Sequence, residues 1–248
     1  MIKCYPSVHD LVEKLADRFH ETIMERVTHK EIVNIAISGG NTPKLFFEEL
    51  SKTGEIRGKS FPWRKIHFFW VDERCVPRDH PESNFGLFDR VFIRKFAPGT
   101  IQSHRIRGEE DPYEEARRYS EEILNYVDPD NGIPVFDWIF LGIGEDGHTA
   151  SIFPDRMELL KSDSVCEVSK HPVTGQVRIT LTGNTLIRAS LTTFIVTGRN
   201  KSRILNDIAL NSPDSEKYPA TYVYSESRNT ELYLDREAAE HLNISCRG

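Results

Sequence analysis

The sequence predicts an α/β fold: a doubly wound, mostly parallel sheet with helices on both faces and a small β insertion around residues 163–183. Two patterns predict it. Short runs nearly continuous in Val, Ile, Phe and Leu, such as IVNIAI (32–37) and FDWIFLGI (136–143), read as strands buried on both faces. Amphipathic segments alternate with them, and that alternation builds right-handed βαβ crossovers. Length is the third observation. At 248 residues the chain can bury one large core, and no repeat, low-complexity tract or linker divides it, so residues 1–248 are expected to form a single domain.

Taken in order, the first element is a helix over 7–28. Val8, Leu11, Leu15, Phe19, Ile23 and Val27 recur at threes and fours, with Ser7 placed to cap. IVNIAI follows as a strand, then a helix opening at Pro43. IHFFWV (66–71) is the second strand, with helices over about 83–96 and 112–127 beyond it. The Gly/Pro-rich stretches 97–112 and 128–134 read as loops. FDWIFLGI is the third strand. The segment 163–183 reads as a strand, a turn and a second strand. TTFIVT (192–197) is a further strand and precedes a helix over about 200–210. TYVYS (221–225) and ELYLD (231–235) are expected to be the last strands, on their aromatic and β-branched content.

Composition narrows the function. A net charge of −6 argues against a nucleic-acid or anionic-membrane binder, so a ligand that is itself anionic must meet locally gathered cations. Cys4, Cys75, Cys166 and Cys246 lie far apart without a CxxC pair. They are expected to be isolated thiols, which suits a reducing compartment. No stretch approaches the roughly 20 apolar residues of a membrane span, and the N-terminus has no apolar run of signal-peptide length. A cytoplasmic protein, a monomer or small homo-oligomer, is expected.

In sheets of this type ligands sit beyond the carboxyl ends of the strands, and the unusual residues of this chain cluster there. Ser38, Gly39, Gly40, Asn41 and Thr42 form a glycine turn opening a helix, where unpaired N–H groups and the helix dipole favour an anion. The pattern is neither GxxxxGK[ST] nor GxGxxG, so a nucleotide site is not indicated. Asp72 and Arg74 leave the second strand, with Ser83 and Asn84 heading the next helix. GIGEDGHTASIFP (142–154) follows the third strand and carries Asp146, Gly147 and His148. A neutral imidazole can take a proton from water near neutral pH, and an adjacent carboxylate can fix its tautomer. Lys201 and Arg178 add a mobile point charge and a bidentate fork suited to phosphate. No metal-ligand spacing such as HExxH is present, and no metal or cofactor is expected. Together these residues describe a phosphorylated, polyhydroxylated substrate worked on by acid–base chemistry.

The segments SGGNTP, WVDERCVPRDHPESN, FDWIFLGIGEDGHTASIFP, RITLTGNTLIRAS and TGRNK, in this order, resemble the 6-phosphogluconolactonase family. The resemblance spans nearly the whole chain, with a weaker match at YPATYVY and Asn41 where the family often has Ser. It implies a fold shared with glucosamine-6-phosphate deaminases and ribose-5-phosphate isomerases. It also implies hydrolysis of 6-phospho-D-glucono-1,5-lactone to 6-phosphogluconate in the oxidative pentose phosphate pathway. By that resemblance His148 is the general base, with Asp146 orienting it. Arg74 or backbone N–H groups would meet the carbonyl oxygen, with the phosphate as the alternative partner of Arg74. Thr42 with its neighbouring amides and Lys201 would hold the phosphate, with Arg178 a further candidate. Asp72, Ser83 and Asn84 would face sugar hydroxyls.

Two rivals remain at this point. A phosphosugar deaminase or isomerase of the same fold would carry Glu five residues after the histidine, where this chain has Phe153. A non-catalytic phosphosugar sensor coupled to DNA would be expected to show a basic helix-turn-helix, which the sequence lacks.

Overall fold

The computed structural model describes residues 1–56 and 61–246. In chain order the elements are β1 (Ile2–Tyr5), α1 (Val8–Arg26), β2 (Val33–Ile37), α2 (Asn41–Ile56), β3 (Ile66–Trp70), β4 (Asp72–Arg74), α3 (Asn84–Val91), β5 (Gln102–His104) and α4 (Pro112–Tyr126). They continue with β6 (Pro129–Asp130), β7 (Ile133–Pro134), β8 (Trp138–Leu141), β9 (Cys166–Lys170), β10 (Val177–Leu181), α5 (Gly183–Ile187), β11 (Thr192–Val196), α6 (Ser202–Ala209), α7 (Pro219–Glu226) and β12 (Thr230–Asp235).

Seven strands form one sheet in the order β1-β12-β11-β8-β2-β3-β5, and every pairing in it is parallel. Every residue of β2, β8 and β11 is buried, as strands covered on both faces must be. On one side α1, α2 and α3 pack in sequence. Phe19 of α1 stacks on Trp138 with ring centroids 5.8 Å apart and meets Phe46 edge-on at 6.0 Å, tying the helical layer to β8. The helix starts follow local chemistry. Ser7 accepts from the Asp10 N–H, and Asp111, ahead of Pro112, accepts from the Tyr113 and Glu114 N–H groups.

The 163–183 insertion is the expected pair of strands, β9 and β10, and it acquires a third. Residues 72–74 form β4, antiparallel to β10, so Arg74 stands opposite Arg178 and Asp72 opposite Thr180. This small sheet brings β10 against the carboxyl end of the main one.

Five expectations change. TYVYS lies in α7 and not in a strand: Pro219 opens the helix, and Ala220 and Val223 at i, i+3 bury its inner face, so packing overrides the β preference of Tyr and Val. The stretch 97–112 contains the edge strand β5. The stretch 128–134 is a hairpin, β6–β7, whose Asn131–Gly132 turn has φ of 53° and 81°. β1, unmarked in the sequence, forms the other edge, next to β12. Finally, Cys4 and Cys246 are joined in a disulfide across 242 positions, leaving only Cys75 and Cys166 as free thiols. Pairings at that separation leave no local pattern, because the folded sheet, not the spacing, brings β1 to the C-terminal segment.

Candidate active site

Parallel strands with right-handed crossovers collect their exits on one edge. Here residues 38–42, 72–74, 142–151 and 197–201 meet there around an open cleft of about 470 Å³. Its lining includes Ser38, Gly39, Gly40, Asp72, Arg74, Asn84, Asp146, His148, Arg178 and Lys201. A second hollow of about 410 Å³ shares Gly39, Gly40 and Lys201 with it and adds Asn41 and Thr42. The structure therefore gathers most of the residues expected from the sequence.

At the glycine turn, Gly40 has φ of 109° and its carbonyl accepts the first helical bond, from the Lys44 N–H. Glycine in the capping position offers no side chain of its own to the first-turn N–H groups of α2, a position that favours an anion. Among the described residues the buried Ser38 Oγ has no partner. Thr42 Oγ1 lies 2.6 Å from Thr197 Oγ1, joining this turn to the end of β11. Lys201 sits beside it. Burial lowers its pKa, and Glu145 and Asp146 pull it the other way.

His148 Nδ1 is 2.6 Å from Asp146 Oδ1, and the same oxygen accepts the His148 backbone N–H at 3.2 Å. Burial raises the Asp146 carboxyl, but the hydrogen bond and charge of His148 outweigh it and hold the group at about 2. The ionised carboxylate accepts Nδ1–H, so Nε2 is left as the basic nitrogen. Gly144 makes the pair possible. A Cβ there would fall 2.1 Å from His148 Nδ1 and 2.5 Å from Asp146 Oδ1. That glycine clears space for the His148–Asp146 pair itself. Ala150, two residues past the histidine, has φ of 49°, a left-handed conformation uncommon outside glycine.

Arg74 and Arg178 face each other across β4 and β10. Like charges directly opposite on paired strands repel, and each arginine also keeps a buried Nε without a partner among the described residues. Arg74 donates to the Glu82 carbonyl at 2.7 Å, and Arg178 donates to Ser151 Oγ at 3.3 Å and Gln176 Oε1 at 3.2 Å. Ser151 in turn donates to Asp72 Oδ2 at 2.6 Å. Burial lowers the Arg178 pKa; Asp72 opposes that shift and Arg74 adds to it. Two partly satisfied guanidinium groups in one cleft wall form a site for oxygen carrying negative charge.

Two expected contacts turn away. Ser83 is 2 % exposed and caps α3, accepting from the Gly86 N–H and donating to Glu73. Gly147 lies outside the cleft lining. Its φ is 83°, and a Cβ there would meet the Tyr218 ring at 2.5 Å. Asn84 lines the cleft and donates to the Asp72 carbonyl. Three further residues at the site are not among the sequence expectations: Glu73, whose buried carboxylate accepts from the Arg74, Asn84 and Phe85 N–H groups and fixes the loop, Ser151 and His171. Only the third-strand motif hinted at Ser151. Glu73 carries no signal beyond lying between Asp72 and Arg74.

A family model described as "Glucosamine-6-phosphate isomerases/6-phosphogluconolactonase" matches residues 6–233. The chain belongs to that family. Among members of the glucosamine-6-phosphate isomerase/6-phosphogluconolactonase family, the Haemophilus influenzae 6-phosphogluconolactonase is 38 % identical over 96 % of this chain and 98 % of its own. A Synechocystis 6-phosphogluconolactonase is 35 % identical over 96 % of this chain and 98 % of its own. The crystal structure of a devB protein superposes with a TM-score of 0.88 at 36 % identity, over 98 % of this chain and all of that one. A monomeric glucosamine-6-phosphate deaminase, at 20 % identity and a TM-score of 0.79 over 96 % of this chain and 98 % of its own, shows that the fold is shared across both activities.

Proposed function

We propose that this chain hydrolyses 6-phospho-D-glucono-1,5-lactone to 6-phosphogluconate, the whole chain acting as one catalytic domain. The observation that carries the reading is the His148–Asp146 pair at 2.6 Å in a cleft that also holds the opposed Arg74 and Arg178. The relatives bearing the same name across almost their full length support it. The reaction sits within carbohydrate metabolism, in the oxidative pentose phosphate pathway.

The phosphate occupies the Ser38–Thr42 turn and Lys201. The lactone carbonyl then lies toward His148 and the arginines. His148 Nε2 takes a proton from water as the water oxygen bonds to C1. The carbonyl π electrons move to oxygen, where Arg74 and Arg178 meet the developing charge. Collapse breaks the bond from C1 to the ring oxygen, and His148 returns its proton to that oxygen. Asp146 stays ionised throughout and stabilises the imidazolium. The balance needs no cofactor, since a lactone carbonyl is already electrophilic. Asn84 and the edge of Asp72 that Ser151 leaves free face the sugar hydroxyls.

Phe153 argues against ring-opening isomerase or deaminase chemistry. It is fully buried, 4.9 Å from His148 between ring centroids, and supplies no carboxylate where that chemistry needs one. The substrate is a free phosphosugar lactone, with no nucleic acid or membrane in the reaction. Among the described residues no helix is long and apolar enough to cross a membrane. A cytoplasmic monomer or small homo-oligomer is part of this reading, and the Cys4–Cys246 disulfide removes isolated thiols as an argument for it. The test is base uptake at constant pH with freshly generated lactone. Wild type should exceed the spontaneous rate and His148→Ala should fall near it; a wild type no faster than background refutes the activity, and a fast His148→Ala refutes the base.

A further inference from the structure

We infer that His171 is a substrate-contacting residue, a neutral imidazole that donates its Nε2–H to the oxygens engaged by Arg74 and Arg178. The inference rests on the proposed lactonase reading and deepens it.

The ring's tautomer is fixed by its own turn. His171 lies just past β9, in the connection to β10, and its Nδ1 accepts from the Val173 and Thr174 backbone N–H groups, each at 3.2 Å. A nitrogen receiving two donors carries no proton, so the proton of the neutral ring must sit on Nε2. The turn is held independently, because the His171 N–H bonds to the Gln176 carbonyl and the Gly175 N–H to the His171 carbonyl.

The other side of the ring belongs to the cleft, whose wall His171 lines together with His148, Arg74 and Arg178. Phe153 spaces this group. His171 meets its ring edge-on at 5.1 Å, His148 lies 4.9 Å from it, and the Arg178 guanidinium sits over it at 5.5 Å. Burial lowers the His171 pKa, and the nearby Arg178 and His148 lower it further, which keeps the ring uncharged among cations. A neutral donor is what this wall can add without increasing the repulsion that the paired arginines already carry. Among the described residues the Nε2–H beside them has no acceptor, and the substrate supplies one.

Two substitutions separate the ring's two jobs. His171→Asn keeps an acceptor for the turn N–H groups but places nothing where Nε2 was. His171→Gln sets an amide N–H there. In base-uptake assays His171→Asn should lose about five- to tenfold in kcat/KM, the size expected for one neutral hydrogen bond. His171→Gln should return to within about twofold of wild type. Nitrogen-15 spectra of the wild-type ring at pH 7 should show a protonated Nε2 and a bare Nδ1. Both variants matching wild type, equal loss in both, or a proton on Nδ1 would each overturn the inference. If wild type does not accelerate hydrolysis, the lactonase reading fails by itself, and binding of 6-phosphogluconate decides the role of His171. Weaker binding to His171→Asn than to wild type upholds it; equal binding, or none to either, overturns it.

Discussion

Replacing Asp146 by Asn should damage catalysis more than removing its side chain altogether. In the proposed reaction Asp146 does two things for His148. Its charge favours the imidazolium that forms when water is deprotonated, and its lone pair holds the proton on Nδ1 so that Nε2 is basic. The carboxyl is held at about 2, which by linkage corresponds to about 2 kcal/mol of attraction. The side chain is 43 % exposed, so solvent screening reduces this to about 1 kcal/mol. Asp146→Ala should therefore cost about five- to twentyfold in kcat from lost charge, with the ring still able to sample the correct tautomer. Asn presents an N–H as well as an oxygen at the same position. When that N–H faces Nδ1 it forces the ring proton onto Nε2 and removes the base, adding a loss toward the roughly 10²–10⁴-fold that general acid–base help supplies. Base uptake at constant pH with the two variants measures both. Asp146→Asn as active as Asp146→Ala, or within about twofold of wild type, refutes the reasoning.

Four further outcomes are expected. Lys201→Ala should raise KM about 10–100-fold with kcat within about threefold, since a phosphate contact remote from C1 contributes to ground and transition states alike; steady-state kinetics will show the split. Gly144→Ala should retain its circular dichroism and melting temperature yet lose more than about 100-fold in kcat, because its Cβ would lie 2.1 Å from His148 Nδ1 and must displace the ring. Burial raises the Glu122 carboxyl, but hydrogen bonds from His104 and Arg118 prevail and hold it at about 2. An acid so depressed stabilises the fold above its unfolded value of about 4.3, and the contribution disappears as pH falls toward 2. Denaturation of wild type and Glu122→Gln should thus differ by about 2 kcal/mol at pH 7 and converge near pH 2. Lastly, 6-phosphogluconate at about 100 times its Kd should raise the melting temperature by about 5–10 °C, and Arg74→Gln at the same concentration should show less than half that shift.

Much of the fold was legible because the buried strands announce themselves. IVNIAI, IHFFWV and WIFL are nearly continuous apolar runs of the kind a doubly covered parallel strand produces, and α1 repeats its apolar positions over five turns. The edge elements were not legible for the same reason in reverse. β1 and β5 pair on one side only, and three- or four-residue strands such as IKCY and QSH carry too few apolar positions to set a period. TYVYS misled because its tyrosines and valine favour strands, whereas Pro219 and a helix-spaced inner face decide the structure. The Asn131–Gly132 hairpin was readable, since Asn-Gly is a strong short-range turn signal, but a two-residue strand on each side gave it no apolar frame.

The site was legible to the extent that its chemistry sits at strand exits. Asp146, His148, Arg74 and Lys201 could be placed from the topology alone, because a parallel sheet sends every such residue to one edge. The cross-strand opposition of Arg74 and Arg178 could not, because it depends on the register of β4 against β10, more than 100 residues apart. That register is also the most informative feature of the cleft. A fold selected for stability alone would not set two arginines side by side and leave a buried Nε of each unpartnered among the described residues. Asp72, reaching Arg178 through Ser151, offsets only part of that repulsion. The remainder is available to a ligand. In the proposed reaction an oxygen that becomes more negative in the transition state would gain more from the paired guanidinium groups than the ground-state carbonyl does, and this difference would lower the barrier.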